Sequence, residues 1–214
     1  MAIVVIGGHS RSVGKTSVVA ELISALREYD WTALKITQYG HGVCSANRAP
    51  CDCATADHSW AISEEKNRSA ESDTSRFLRA GAARALWVRT EQGRLAEAMP
   101  ALRHRLERSS YVIVESNSVL KFMRPDLYLT VLDPSTEDFK NSAREFLDRA
   151  GAVILHDGSK AGASAWRSVS LKPVAERPVF RITPPPYVTP EIIEFVRNHL
   201  DEKVTQNREL RTEN

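Results

Sequence analysis

The chain has 214 residues and carries 29 Lys and Arg against 27 Asp and Glu, a formal charge of +2. That length suits one α/β domain with a substantial core, and the near-balanced charge gives no electrostatic basis for a nucleic-acid partner. No apolar run reaches the ~18 residues a membrane span needs and the start lacks a signal-peptide pattern, so a cytoplasmic protein with no membrane contact is expected.

Ala2 to Ile6 is an unbroken apolar run, the pattern of a parallel strand covered on both faces. It leads into Gly7-Gly8-His9-Ser10-Arg11-Ser12-Val13-Gly14-Lys15-Thr16-Ser17, and then into a segment with Val18, Val19, Leu22, Ile23 and Leu26 on one helical stripe. Strand, glycine-bounded loop ending in Gly-Lys-Thr, and amphipathic helix, in that order, make a phosphate-binding loop. The backbone of His9, Ser10, Arg11, Ser12, Val13 and Gly14 would cradle the anion. Lys15 would reach the terminal phosphates, Thr16 would hold Mg²⁺, and Ser17 would close the first helical turn. Strict spacing puts a glycine where His9 stands; Gly8 lies one position earlier, so the loop is longer by one residue. Arg11 either lies across the phosphates or is solvated.

Residues 31 to 36 read as a second strand ending near Lys35, and Gly40 and Gly42 then break regular structure. From about 38 to 67 no period is sustained, and an irregular insertion beside the site is expected. It holds all three cysteines, too few and too odd in number for a disulfide framework in a reducing compartment. His41, Cys44, Cys51 and Cys53 offer one imidazole and three thiolates, enough for a tetrahedral Zn²⁺ site; the alternative is three loop cysteines without a ligand.

Ser72 to Gly81 reads as a short helix, 85 to 88 as a strand, and 91 to 106 as a helix kinked or broken at Pro100. Strands follow at 111 to 114 and 127 to 132, a helix at 139 to 150, and strands at 152 to 155 and 179 to 182. After Pro184-Pro185-Pro186, Thr189 caps a closing helix through Leu200. One domain over 1–202 with a frayed tail over 203–214 is expected. Its fold class is α/β, a doubly wound and mostly parallel sheet of about seven strands with functional groups at the strands' carboxyl ends. Glu115 and Lys35, each just after a strand, are therefore candidate catalytic residues, Glu115 as a Mg²⁺ ligand and Lys35 as a neutraliser of developing charge. The alternative for Glu115 is a strand-end glutamate paired with a surface arginine, and for Lys35 a solvated strand-end lysine. Asp133 and Asp157 are candidate contacts to a base.

Val13-Gly14-Lys15-Thr16 with the longer loop resembles dethiobiotin synthetase and the cobyric acid amidotransferase group of P-loop NTPases. Tyr111-Val112-Ile113-Val114-Glu115 resembles the strand ending in Val-Glu-Gly of dethiobiotin synthetase and of the molybdopterin-guanine dinucleotide biosynthesis MobB family, with Ser116 where those families have glycine. Asp73-Thr74-Ser75-Arg76, followed by Ala80-Gly81-Ala82, is similar to a MobB segment. The resemblance implies a P-loop NTPase architecture, binding of GTP or ATP with Mg²⁺, and Asp73 near Mg²⁺ or the terminal phosphate, although Asp73 also suits a helix N-cap. It implies slow hydrolysis in an accessory role in molybdenum cofactor biosynthesis, with a protein partner and a homodimer. The alternative is an ATP-dependent phosphorylating enzyme or ligase of the dethiobiotin synthetase type.

Overall fold

A computed structural model describes residues 1–39, 59–157, 166 and 169–212. One eight-stranded sheet runs β3-β4-β2-β5-β1-β6-β7-β8. Its members are β1 (Ala2–Gly8), β2 (Thr32–Tyr39), β3 (Trp60–Glu64), β4 (Arg84–Glu91), β5 (Tyr111–Glu115), β6 (Leu127–Leu132), β7 (Ala152–His156) and β8 (Val179–Ile182). All neighbouring pairs are parallel except β3 against β4.

The helices are α1 (Lys15–Ala25), α2 (Asp73–Ala80), α3 (Leu95–Leu106), α4 (Asn141–Glu145) and α5 (Pro190–Thr212). They cover the sheet on both faces, and β1 shows why. Ala2, Val4 and Ile6 point into one core with Val18, Leu22, Phe77, Ile192 and Val196, whereas Ile3 and Val5 point into the other with Leu95, Leu102, Leu106 and Phe146. A strand buried on both faces must be apolar at every position, as this one is. The expectation of a doubly wound, mostly parallel α/β sheet holds.

Several elements differ from their sequence expectation. The sheet has eight strands where about seven were expected, because β3 pairs with β4 inside the stretch expected to be irregular. Its Trp60 and Ile62 pack on the second core, and that burial is tertiary. Pro100 sits within α3, which is a single element; its missing N–H removes one i→i−4 bond without ending the helix. The helix expected over 139 to 150 is α4 followed by one 3₁₀ turn at Leu147–Arg149. The closing helix is assigned to Thr212, and no Gly or Pro follows Pro190 to stop it earlier.

Candidate functional site

β1 lies between β5 and β6, so its carboxyl end, where the loop begins, is flanked by Glu115 on one side and by the segment after Leu132 on the other. The loop is held from both. Asn117, two residues past Glu115, accepts from Gly8 N at 3.0 Å through Oδ1 and donates to Gly8 O at 2.9 Å through Nδ2. A Cβ on Gly7 would lie 2.1 Å from that Oδ1, which explains the glycine pair at this bend. On the other flank His9 is fully buried. Its Nδ1 donates to the Asp138 carbonyl at 2.7 Å and its Nε2 accepts from Asp133 N at 3.0 Å, so the backbone fixes one neutral tautomer. The ring packs on Phe139 and Trp166, with centroids 5.2 and 4.7 Å away. Burial lowers the His9 pKa, against the pull of the Asp138 carbonyl. Lys140 N donates to His9 O at 2.8 Å and Ser10 Oγ donates to Asp138 Oδ2 at 2.6 Å, completing the brace.

The loop turns through Ser12 and Gly14, both with positive φ (57° and 88°), and α1 starts at Lys15. No side chain caps this helix end. The first amides of α1 are left for an anion at the positive end of the helix dipole. Lys15 lies back over the loop, its Nζ donating to the Ser10 carbonyl, and burial pulls its pKa down to about 8.

Thr16, on the first turn of α1, donates from Oγ1 to Glu115 Oε2 at 2.8 Å. Lys35 and Glu115 are register partners on β2 and β5, which puts their side chains on one face, and Lys35 Nζ bonds Glu115 Oε1. The same ammonium lies 2.9 Å from Asp73 Oδ2 and 3.5 Å from Thr16 Oγ1. Ser72, not Asp73, caps α2: its hydroxyl accepts from Ser75 N at 3.1 Å. That leaves the Asp73 carboxylate free to meet Lys35. Glu65 fixes this helix start by accepting from Ser72 Oγ and Thr74 Oγ1. Burial would lower the Lys35 pKa, but Glu115 and Asp73 outweigh it and hold it above the ordinary lysine value.

One threonine hydroxyl and two carboxylates make a set of hard oxygen donors that already draws a cation, and Mg²⁺ would fit them. Lys15, Thr16, Lys35, Asp73 and Glu115 thus come together. Arg11 is exposed at the loop's edge, and Ser17 Oγ accepts from Arg76 Nη2 at 3.0 Å. Asp133 is occupied by Ser135, whose N and Oγ both donate to its Oδ1, and its Oδ2 lies 3.7 Å from His156 Nδ1. Asp157 caps the last ladder step through its N–H to the Ile182 carbonyl. His41, Cys44, Cys51 and Cys53 lie outside the described residues. Among the described residues no group of three or more His, Cys, Asp and Glu is placed to hold a metal by itself.

Three site residues escape the sequence reading. Asn117 stands just past a strand end, a signal that was available. Tyr187 packs its ring on Gly14, where a Cβ would lie 2.2 Å from Cε1; Glu21 Oε2 holds it there by accepting from Tyr187 N and Val188 N, both at 2.8 Å. Lys140 is half-buried beside the loop, and burial, then Arg11, lowers its pKa. A separate hollow of about 760 Å³ near Pro125, Asp126 and Arg149 lies at the strands' amino ends. Asp126 Oδ2 accepts from Ile3 N, and Arg149 donates to the Leu120 carbonyl.

The sequence matches no family model and no curated protein. Among solved structures the chain is similar to HypB from Helicobacter pylori in complex with nickel, at 14% identity and a TM-score of 0.48, over 96% of this chain and 88% of that one. It is similar to a MobB homolog from Bacillus stearothermophilus at 16% identity and a TM-score of 0.43, over 94% and 99% of the two chains. LpxK from Aquifex aeolicus in complex with ATP is similar at 18% identity and a TM-score of 0.44, over 85% of this chain and 53% of that one. These likenesses are weak in both sequence and shape, and what the site can do follows from its own residues. Its sheet order and its strand-to-loop-to-helix start are those of a doubly wound α/β fold.

Proposed function

We propose that the chain binds a nucleoside triphosphate, GTP or ATP, with Mg²⁺ across residues 9–17 and hydrolyses it slowly. Its role would be accessory, in cofactor assembly of the MobB kind and together with a protein partner. One observation carries this reading: Lys15, Thr16, Lys35, Asp73 and Glu115, from four separate segments, converge at the uncapped amino end of α1. Bound Mg²⁺ would supply neutralising charge to the phosphate oxygens. Thr16, Glu115 and Asp73 would hold it, Lys15 would leave the Ser10 carbonyl for the terminal phosphates, and the α1 amides would take the bridging oxygens. Glu115 and Asp73 serve a cation in every state of this scheme. Neither is free to take a proton from an attacking water, which accounts for slow turnover.

Lys140 favours a second reading, phosphoryl transfer to an acidic small molecule. It is half-buried near the loop and makes no ion pair with a described residue, so an anionic acceptor would suit it.

Calorimetry with Mg-GTP and Mg-ATP tests the common part. Binding to the unaltered chain, weakened at least tenfold by Lys15→Ala, is expected; unchanged affinity in Lys15→Ala would overturn both readings. Hydrolysis raised by a macromolecular fraction supports the accessory role, and hydrolysis raised by a small-molecule fraction supports the enzyme.

A further inference from the structure

Lys35 sits at the centre of the site rather than at its edge. Its ammonium is ringed by oxygens of three segments that meet only in the folded chain: Thr16 Oγ1 at the start of α1, Asp73 Oδ2 at the start of α2 and Glu115 Oε1 at the end of β5. Its side chain is 16% exposed and that of Glu115 only 3%. These are the oxygens that the nucleotide-binding reading gives to Mg²⁺, and the inference rests on that reading. An ammonium and a divalent cation cannot share one set of ligands, because two positive centres would stand in near contact at reduced dielectric.

We infer that Lys35 is a built-in counter-ion that occupies the cation seat in the nucleotide-free protein and vacates it when Mg²⁺ arrives with a triphosphate. The physical need for it is clear. A buried carboxylate with a second carboxylate close by requires a positive charge in contact, and Lys15 acts on them only through space, its Nζ being turned to the Ser10 carbonyl. On leaving, the Lys35 ammonium moves into a neighbourhood that already contains Lys15 and Lys140. Only an anion makes that move favourable. The exchange therefore couples metal to nucleotide: a divalent ion by itself would have to push a charge toward two others, whereas one carried by a triphosphate brings phosphate oxygens for Lys35 to join.

The test uses Mn²⁺ as the probe, followed by its EPR signal in the absence of any nucleotide. Lys35→Met keeps the aliphatic stem and removes the charge, freeing the three oxygens. Mn²⁺ is expected to bind this variant at least tenfold more tightly than the unaltered chain. Affinity within twofold of the unaltered chain, or weaker, in a variant that melts cooperatively would overturn the inference. Should Lys35→Met fail to fold, the ¹⁵Nζ signals of the unaltered chain decide. The Lys35 signal is expected to stay in place on adding Mg²⁺ alone and to shift on adding Mg²⁺ with a non-hydrolysable triphosphate. A shift with Mg²⁺ alone, or none with both, would overturn it. The Mn²⁺ measurement is made without nucleotide, so tight Mn²⁺ binding by Lys35→Met in a chain that binds no triphosphate would refute the nucleotide reading and leave the counter-ion role standing.

Discussion

Asn117 and Gly8 are joined by two hydrogen bonds through one side-chain amide, Gly8 N to Oδ1 at 3.0 Å and Nδ2 to Gly8 O at 2.9 Å. The amide thus completes the backbone pairing of the last residue of β1 just where the chain leaves the sheet for the loop. A primary amide sets an acceptor and a donor side by side on separate atoms, which suits the N–H and C=O of a single residue. Asn117→Ala would leave a buried N–H and C=O without these partners and is expected to lower stability by about 1–3 kcal/mol. Asn117→Asp, which can accept but not donate when ionised, should do no better. Urea unfolding of the two variants checks this, and a loss under about 0.5 kcal/mol in both would show that the clamp is not structural.

Gly14 is constrained twice, by its φ of 88° and by the Tyr187 ring against it. Gly14→Ala should cost about 1–2 kcal/mol for the backbone alone, with a further loss from displacing Tyr187. In a double-mutant cycle with Tyr187→Ala the second part should vanish, giving a non-additive pair. Strictly additive losses would mean that the ring contact does not matter.

His9 makes stability depend on pH. Its folded pKa is lowered from the ordinary 6.5 by burial. Below about pH 6.5 the unfolded chain therefore takes up a proton that the folded chain refuses. Stability is full above that pH and should fall as the pH drops from there toward the folded value, because a protonated Nε2 can no longer accept from Asp133 N. Measured between pH 7 and 5, the unaltered chain should lose more stability than His9→Gln. Equal losses would remove His9 as the cause.

Lys15, with its pKa pulled down to about 8 by burial, predicts a proton linkage to binding. A triphosphate beside the amine restores the charged form. Above about pH 8, binding should thus take up close to one proton and weaken as the pH rises further. Calorimetry in buffers of differing ionisation enthalpy should find near-zero uptake at pH 7 and substantial uptake at pH 9. The same uptake at both would show that Lys15 is charged throughout.

Residue patterns alone determined much of this protein. The apolar run before Gly7, the stripe from Val18 to Leu26 and the alternation of strands with helices specify an α/β sheet whose first strand runs into a glycine-bounded loop, because burial on two faces imposes a local period. Glu115 was legible as a polar residue ending an apolar strand. Local period carries no record of pairing, however, and whatever depended on distant segments meeting was decided by the tertiary structure. Strand β3 exists through its ladder to β4, and His9, which reads as part of an anion cradle, has its side chain pinned between Asp133 and Asp138. Lys35, read as a strand-end lysine, becomes the centre of a charged cluster because β2 and β5 lie side by side in register while Ser72 takes over the capping of α2. Packing brings residues 16, 35, 73 and 115 within a few ångströms, and the electrostatics of the site arise from that proximity.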